Sequence, residues 1–151
     1  MKNVIIALMA LFIQNAVAQD AGVKKSIGIF FEGLHAADTL KIKSVCHESM
    51  TLQSIGEKEG LGSLTTESTS EFYNSIATIP KNLRIEERLL DYKIQIDGAM
   101  AHAWTPYEFY VNGKLSHTGV NSFQLFNDNG VWKIIYIVDT RRKAPQPPKG
   151  K

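Results

Sequence analysis

From Leu83 to Val138 the chain reads LRIEERLLDYKIQIDGAMAHAWTPYEFYVNGKLSHTGVNSFQLFNDNGVWKIIYIV, and this stretch decides the fold. Apolar residues recur at every second position, the period of a half-buried strand. Asp97-Gly98, Asn112-Gly113 and Asn129-Gly130 interrupt the alternation. Asn and Asp tolerate positive φ and Gly adopts it freely, so each pair marks a tight hairpin. The stretch therefore predicts an antiparallel meander. Leu83 and Ile85 are odd-numbered, whereas Leu90, Tyr92, Ile94 and Ile96 are even. A change of parity near Arg88–Leu90 requires a bulge or kink, so the sheet bends there.

Upstream, the period changes to that of helices. Val23, Ile27, Phe30, Phe31 and Leu34 share one helical face, with Asp20 as its N-cap. Asp38 or Thr39 caps a second, short helix that buries Leu40, Ile42, Val45 and Cys46. Met50–Ile55 reads as a strand and 57–62 as a turn. Ser68 and Glu71 form a capping box before a third helix carrying Phe72, Ile76 and Ile79 and stopped by Pro80. Helices first and a meander after them predict an α+β domain with the helices on one face of the sheet.

The ends carry other information. Lys2, the apolar run Val4–Ile13 and Ala16-Val17-Ala18 have the order of a cleavable signal peptide over residues 1–18. Gln14 and Asn15 end that run well short of the ~20 apolar residues of a membrane span. Export to the periplasm or the medium is expected, with Gln19 as the new start, a domain over 19–140 and no membrane attachment after cleavage. Residues 141–151, basic and Pro-rich, read as a disordered tail. Cleavage takes Lys+Arg from 17 to 16 against 15 Asp+Glu, a balance that gives no reason to expect a nucleic-acid partner. Cys46 is the only cysteine, and no CxxC or HExxH spacing occurs, so no metal or cofactor is expected.

Certain segments carry a resemblance: Phe31-Glu32-Gly33-Leu34-His35 with Asp38, Trp104-Thr105-Pro106-Tyr107-Glu108-Phe109-Tyr110, Asn112-Gly113-Lys114 with Ser116-His117, and Gly130-Val131-Trp132-Lys133-Ile134 leading to Asp139-Thr140-Arg141-Arg142. With the order of elements they resemble the NTF2-like superfamily, SnoaL-like members included, and within it the lumazine-binding branch. The resemblance implies a strongly bent antiparallel sheet wrapped around the first helix as a cone with an open mouth. It also implies dimerisation by sheet packing. This fold hosts isomerases, dehydratases, binding modules and assembly domains, so it does not assign an activity.

Two-residue turns at 112–113 and 129–130 and a three-residue loop ending at Ala99 place one set of side chains in the cone. The set holds His102, Trp104, Phe123 and Tyr136 among apolar neighbours, with Glu108, His117 and Asn121 converging on them. These seven are the expected small-molecule site, since apolar walls with a few polar groups are the usual composition of one. Pro106 can instead bulge the strand, and Ala101 and Ala103 can face the first helix, which turns His102 and Trp104 outward. Glu108 opposite His117 is either an acid–base pair or a structural charge pair at the rim. Cys46 reads as core, Asp38 as a cap, and Asp139 with Arg141 and Arg142 as a salt-bridged sheet terminus. Three functions follow: a binding module, an enzyme of isomerase, dehydratase or hydrolase type with His117 or His102 as base, or an assembly domain with a filled cone. On the outer face Val120, Phe126, Ile135 and Ile137 leave an apolar strip that a second copy can cover, which predicts a homodimer.

Overall fold

Asn112 and Gly113 have φ of 51° and 76°, and Asn129 and Gly130 have 51° and 91°, the paired positive values of tight hairpin turns. The computed structural model describes the backbone of residues 2–58 and 60–143 and the side chains of 19–57 and 60–143. Its elements in chain order are α1 (Lys2–Ala36), α2 (Thr39–Val45), β1 (Cys46–Lys58), β2 (Leu61–Glu67), α3 (Thr69–Ala77), β3 (Ile85–Leu89), β4 (Lys93–Asp97), β5 (Met100–Val111), β6 (Lys114–Asp128) and β7 (Val131–Lys143). They form an α+β fold in which the strands make one curved, unclosed sheet of order β2-β1-β7-β6-β5-β3, with β4 also on β5.

Local chemistry sets most boundaries. Ala37, at φ 53°, ends α1, and the Asp38 amide donates to Gly33 O at 2.8 Å, the pattern of a Schellman stop. Asp38 then caps α2 by accepting from the Lys41 amide at 3.0 Å. Ser68 and Glu71 make the expected capping box at α3. α1 runs through Asp20, which therefore is not its cap.

The meander matches expectation, and three further features correct it. β1 pairs with β7 in parallel, so the first strand lies beside the last. β1 runs on to Lys58 and returns as β2, making a hairpin of the region expected as a turn. Arg141–Lys143, expected in a disordered tail, belong to β7, because β1 (Gly56↔Arg141) and β6 (Thr118↔Arg142, His117↔Lys143) pair with them. Residues 144–151 of that tail lie outside the described residues, and the expected signal peptide falls where no side chain is described. Among the described residues no helix is long and apolar enough to cross a membrane.

The expected bend is present. Leu89 pairs with Tyr107 and Lys93 with Trp104, so three residues of one edge face two of β5. Pro106, which has no N–H to offer, sits opposite this break and accepts the Leu90 amide at 2.8 Å. Inside the curve α1, α2, α3 and the sheet share one core that includes Val23, Ile27, Ile42, Phe72, Phe123 and Ile134.

Candidate functional site

Two one-residue register shifts decide which side chains reach the interior. In β6 an extra residue, Ser116, stands between the pairs Phe109↔His117 and Tyr110↔Leu115. In β7 Ile135 is extra, between Leu125↔Ile134 and Gln124↔Tyr136. The turn after β4 is Gly98-Ala99, pairing Asp97 with Met100 in place of the expected Ile96 with Met100. A one-residue slip exchanges the faces of a whole strand.

On β5 the buried residues are therefore Ala101, Ala103, Thr105 and Tyr107. The expected placement is corrected for four residues, all of which lie on the outer face. His102 reaches Ser122 Oγ at 3.0 Å, and Trp104 is 42% exposed. Glu108 accepts from Tyr110 Oη at 2.7 Å and pairs in register with Thr118, so the Glu108–His117 pair does not form. Tyr136 donates to Gln53 across the outer face. His117, Asn121 and Phe123 do line the interior, and there they meet residues that sequence reasoning did not place in a site.

The wide end of the cone holds a cavity of about 430 Å³. Phe30, Phe31 and Leu34 of α1, Phe72 and Ile76 of α3, and Phe123 supply its apolar wall. Phe123 is fully buried and meets Phe30 and Phe31 edge-on, with centroids 6.2 and 6.1 Å away. The cone is not filled.

Polar groups stand on the facing wall. Asp139 is buried, and its Oδ1 accepts from Ser54 Oγ. Its Oδ2 accepts from Arg141 Nε at 2.7 Å and lies 3.1 Å from Tyr107 Oη, whose single proton is shared with Thr140 O at 3.0 Å. Asn121 Nδ2 donates to Glu87 Oε1 at 2.6 Å. Burial pushes the Glu87 carboxyl up to about 7, with the Asp139 charge adding to the shift and the Asn121 hydrogen bond opposing it. Burial likewise raises Glu67, which lines the same wall, and holds His117 below the usual imidazole range. His117 stacks on Phe109 at 4.7 Å. Burial pushes the Tyr107 phenol upward, so it stays protonated as a donor.

Gly119 makes this wall possible. A Cβ there would stand 1.8 Å from Thr140 O and 2.7 Å from the Tyr107 ring, so only glycine lets the ring cross β6 to reach Asp139. A sequence signal for Glu87 existed: it shares the odd parity of Ile85 and so a face with apolar side chains. Asp139 and Arg141 were legible as a salt bridge, but not as part of a cavity. Cys46 is buried, with its thiol pushed up to about 12 by burial, which leaves it an inert core residue. Among the described residues no group of three or more His, Cys, Asp or Glu is placed to hold a metal ion.

A curved, unclosed sheet with helices closing its concave side around a ligand-sized cavity defines the class: an α+β cone. Solved structures give that class its name, for the fold is NTF2-like. An NTF2-like protein of unknown function from Shewanella baltica matches with a TM-score of 0.62 at 14% identity, over 85% of this chain and 97% of its own. One from Cytophaga hutchinsonii matches with a TM-score of 0.67 at 13% identity, over 82% and 98%. A Streptomyces avermitilis protein of the NTF2-like family, described as a candidate dehydratase, matches with a TM-score of 0.62 at 16% identity, over 82% and 96%. At these identities the likeness concerns the fold alone. No family model matches the chain, and no curated protein does.

Proposed function

We propose that this chain is an exported module that holds a small, mostly apolar molecule in the wide end of its cone. The observation that carries the reading is the cavity of about 430 Å³ with phenylalanines on one wall and a hydrogen-bonded polar wall opposite. A cavity of this size and lining suits an organic molecule with one polar end. N-Phenyl-1-naphthylamine, a neutral apolar dye, should brighten on binding the purified protein. Ile79→Trp, which fills the mouth, should abolish the effect. No brightening in the native protein would reject the pocket.

Export rests on the tripartite N-terminus, and N-terminal sequencing of the product should begin at or near Gln19. A product retained in the cytosol that starts at Met1 would reject it. Self-association through the outer sheet face is supported by Met100, Trp104 and Phe126, which are 54%, 42% and 40% exposed on that face. Ile137, expected in the same strip, lines the cavity instead. Sedimentation should give a dimer that Trp104→Asp dissociates, and a native monomer at micromolar concentration rejects the idea.

One observation favours a second reading, an acid–base enzyme. A carboxyl that titrates near neutrality can both take and give a proton, and Glu87 is such a group. His102 cannot serve as the base, because it lies outside the cone. Turnover that survives in Glu87→Gln would remove this reading.

A further inference from the structure

The polar wall is unevenly satisfied. Both Asp139 oxygens have donors, and the Arg141 Nε is spent on one of them. Glu87 Oε1 takes the Asn121 amide, but among the described residues Oε2 has no hydrogen-bond or ion-pair partner, and neither carboxylate oxygen of Glu67 has one. These atoms are not sealed: among the described residues the one fully buried side-chain N or O atom without a partner is Thr105 Oγ1. Glu87 and Glu67 both line the cavity, so their free oxygens are acceptors turned toward its contents. Facing them from the helices are the rings of Phe30, Phe31 and Phe72, Phe109 lies beside Glu87 as its cross-strand partner, and among the described residues no lysine lines the space. Unpaired carboxylates are costly to bury, and aromatic faces attract cations, so both walls favour a positive charge between them.

Resting on the pocket reading above, we infer that the ligand of this cavity carries a protonated amine on an apolar body, its ammonium seated between the free Glu87 oxygen and the phenylalanine rings. An anion would have to approach Glu67, Glu87 and Asp139 to reach the single guanidinium of Arg141. A neutral hydroxyl or carbonyl would leave one of the acceptors without a charge to balance it.

The groups facing Glu87 are Asp139 and Arg141 of β7, His117 of β6, Tyr107 of β5, Glu67 of β2, and His35 of α1, whose Nε2 accepts the Glu87 amide at 2.8 Å. α3 contributes Ser75 to the lining but no charge. Glu87 loses its proton around pH 7, so a cation gains its partner as pH rises through that value. Burial holds His117 below the usual imidazole range, and any proton it gains as pH falls acts in the same direction, so Glu87→Gln separates the two.

The test is displacement of N-phenyl-1-naphthylamine by three molecules with one body: 4-phenylbutylamine, 4-phenylbutan-1-ol and 4-phenylbutyrate. The amine is cationic at both pH 6 and pH 8. It should bind tightest, with its affinity rising about tenfold between them. Glu87→Gln should flatten that rise and bring the amine down to the alcohol. If the variant does not fold, the pH series on the native protein still decides. A tighter carboxylate, an alcohol equal to the amine, or an amine affinity that falls with pH overturns the inference. So does dye binding that none of the three displaces, which leaves the pocket standing. A dye that does not bind at all removes both.

Discussion

The narrow and wide ends of the cone are built from the same three strands, yet one is solid and the other hollow. At the narrow end β5 turns Ala101 and Ala103 inward, beside Phe123, Leu125, Trp132 and Ile134, and all are buried with Val23 and Ile27 of α1. Gly22 of α1 approaches Trp132 so closely that a Cβ would lie 2.9 Å from its indole ring. At the wide end the inward positions of these strands are Tyr107 and Phe109, His117 and Asn121, Asp139 and Arg141. The β5 alanines at one end let the helix approach, while the large and mostly polar residues at the other form a wall of their own. Side-chain size along a strand decides whether the sheet encloses a core or a cavity.

Four outcomes would break or sharpen that comparison. The largest concerns Gly119→Ala, whose Cβ would overlap the Thr140 backbone and force β6 from β7. It should cost about 4 kcal/mol or more in denaturant unfolding. Gly28→Ala in α1 meets nothing within 4 Å and should be neutral or stabilise by about 1 kcal/mol. Equal effects at the two glycines would mean that the wide end does not depend on this close approach.

Next, Ile134→Ala at the solid end should lose about 2–5 kcal/mol, because nothing there can collapse into the space. Ile79→Ala at the hollow mouth should lose only about 1 kcal/mol. Thermal melts of the pair would show matched losses if the mouth were packed like the core.

Third comes the pH dependence. A native carboxyl at about 7, above its unfolded value of ~4.3, binds its proton more tightly in the fold. Stability from this group is therefore greatest at low pH and falls as pH rises between those values, levelling off above 7. Glu87→Gln should match the native protein near pH 4 and exceed it by on the order of 3–4 kcal/mol at pH 8. A constant difference across that range would show that Glu87 is not held neutral by the wall.

The smallest effect lies outside both ends. Ala37, at φ 53°, occupies a position that suits glycine, so Ala37→Gly should gain about 0.5–1 kcal/mol in the same melts.

The sequence shows the elements more clearly than their faces. Helix caps at Asp38 and Ser68, the Asn-Gly turns and the bend after Leu89 are local features, written in a few adjacent residues. Phe123 and Leu125 could be placed inward because the turn at 129–130 lies only a few residues away. His102, Trp104 and Tyr136 could not, because each lies beyond an inserted residue or a displaced turn that nothing nearby announces. Ser116 and Ile135 have unremarkable sequence neighbours, and their effect appears only once a partner strand is laid alongside. Glu87 and Asp139 belong together only in space.

Ser116 gives β5 something like a reading frame. In the frame observed, its inward letters spell Ala101, Ala103, Thr105 and Tyr107; in the other they would spell His102, Trp104, Pro106 and Glu108. Deleting Ser116 would offer the strand that second message, with Phe123 and Leu125 still holding β6 in place. The narrow end proofreads against it, since an indole would have to fit where a methyl group now meets the core, a misfit of several methylenes. A chain that lost this one serine would therefore keep its turns, caps and composition, and still misread its own interior.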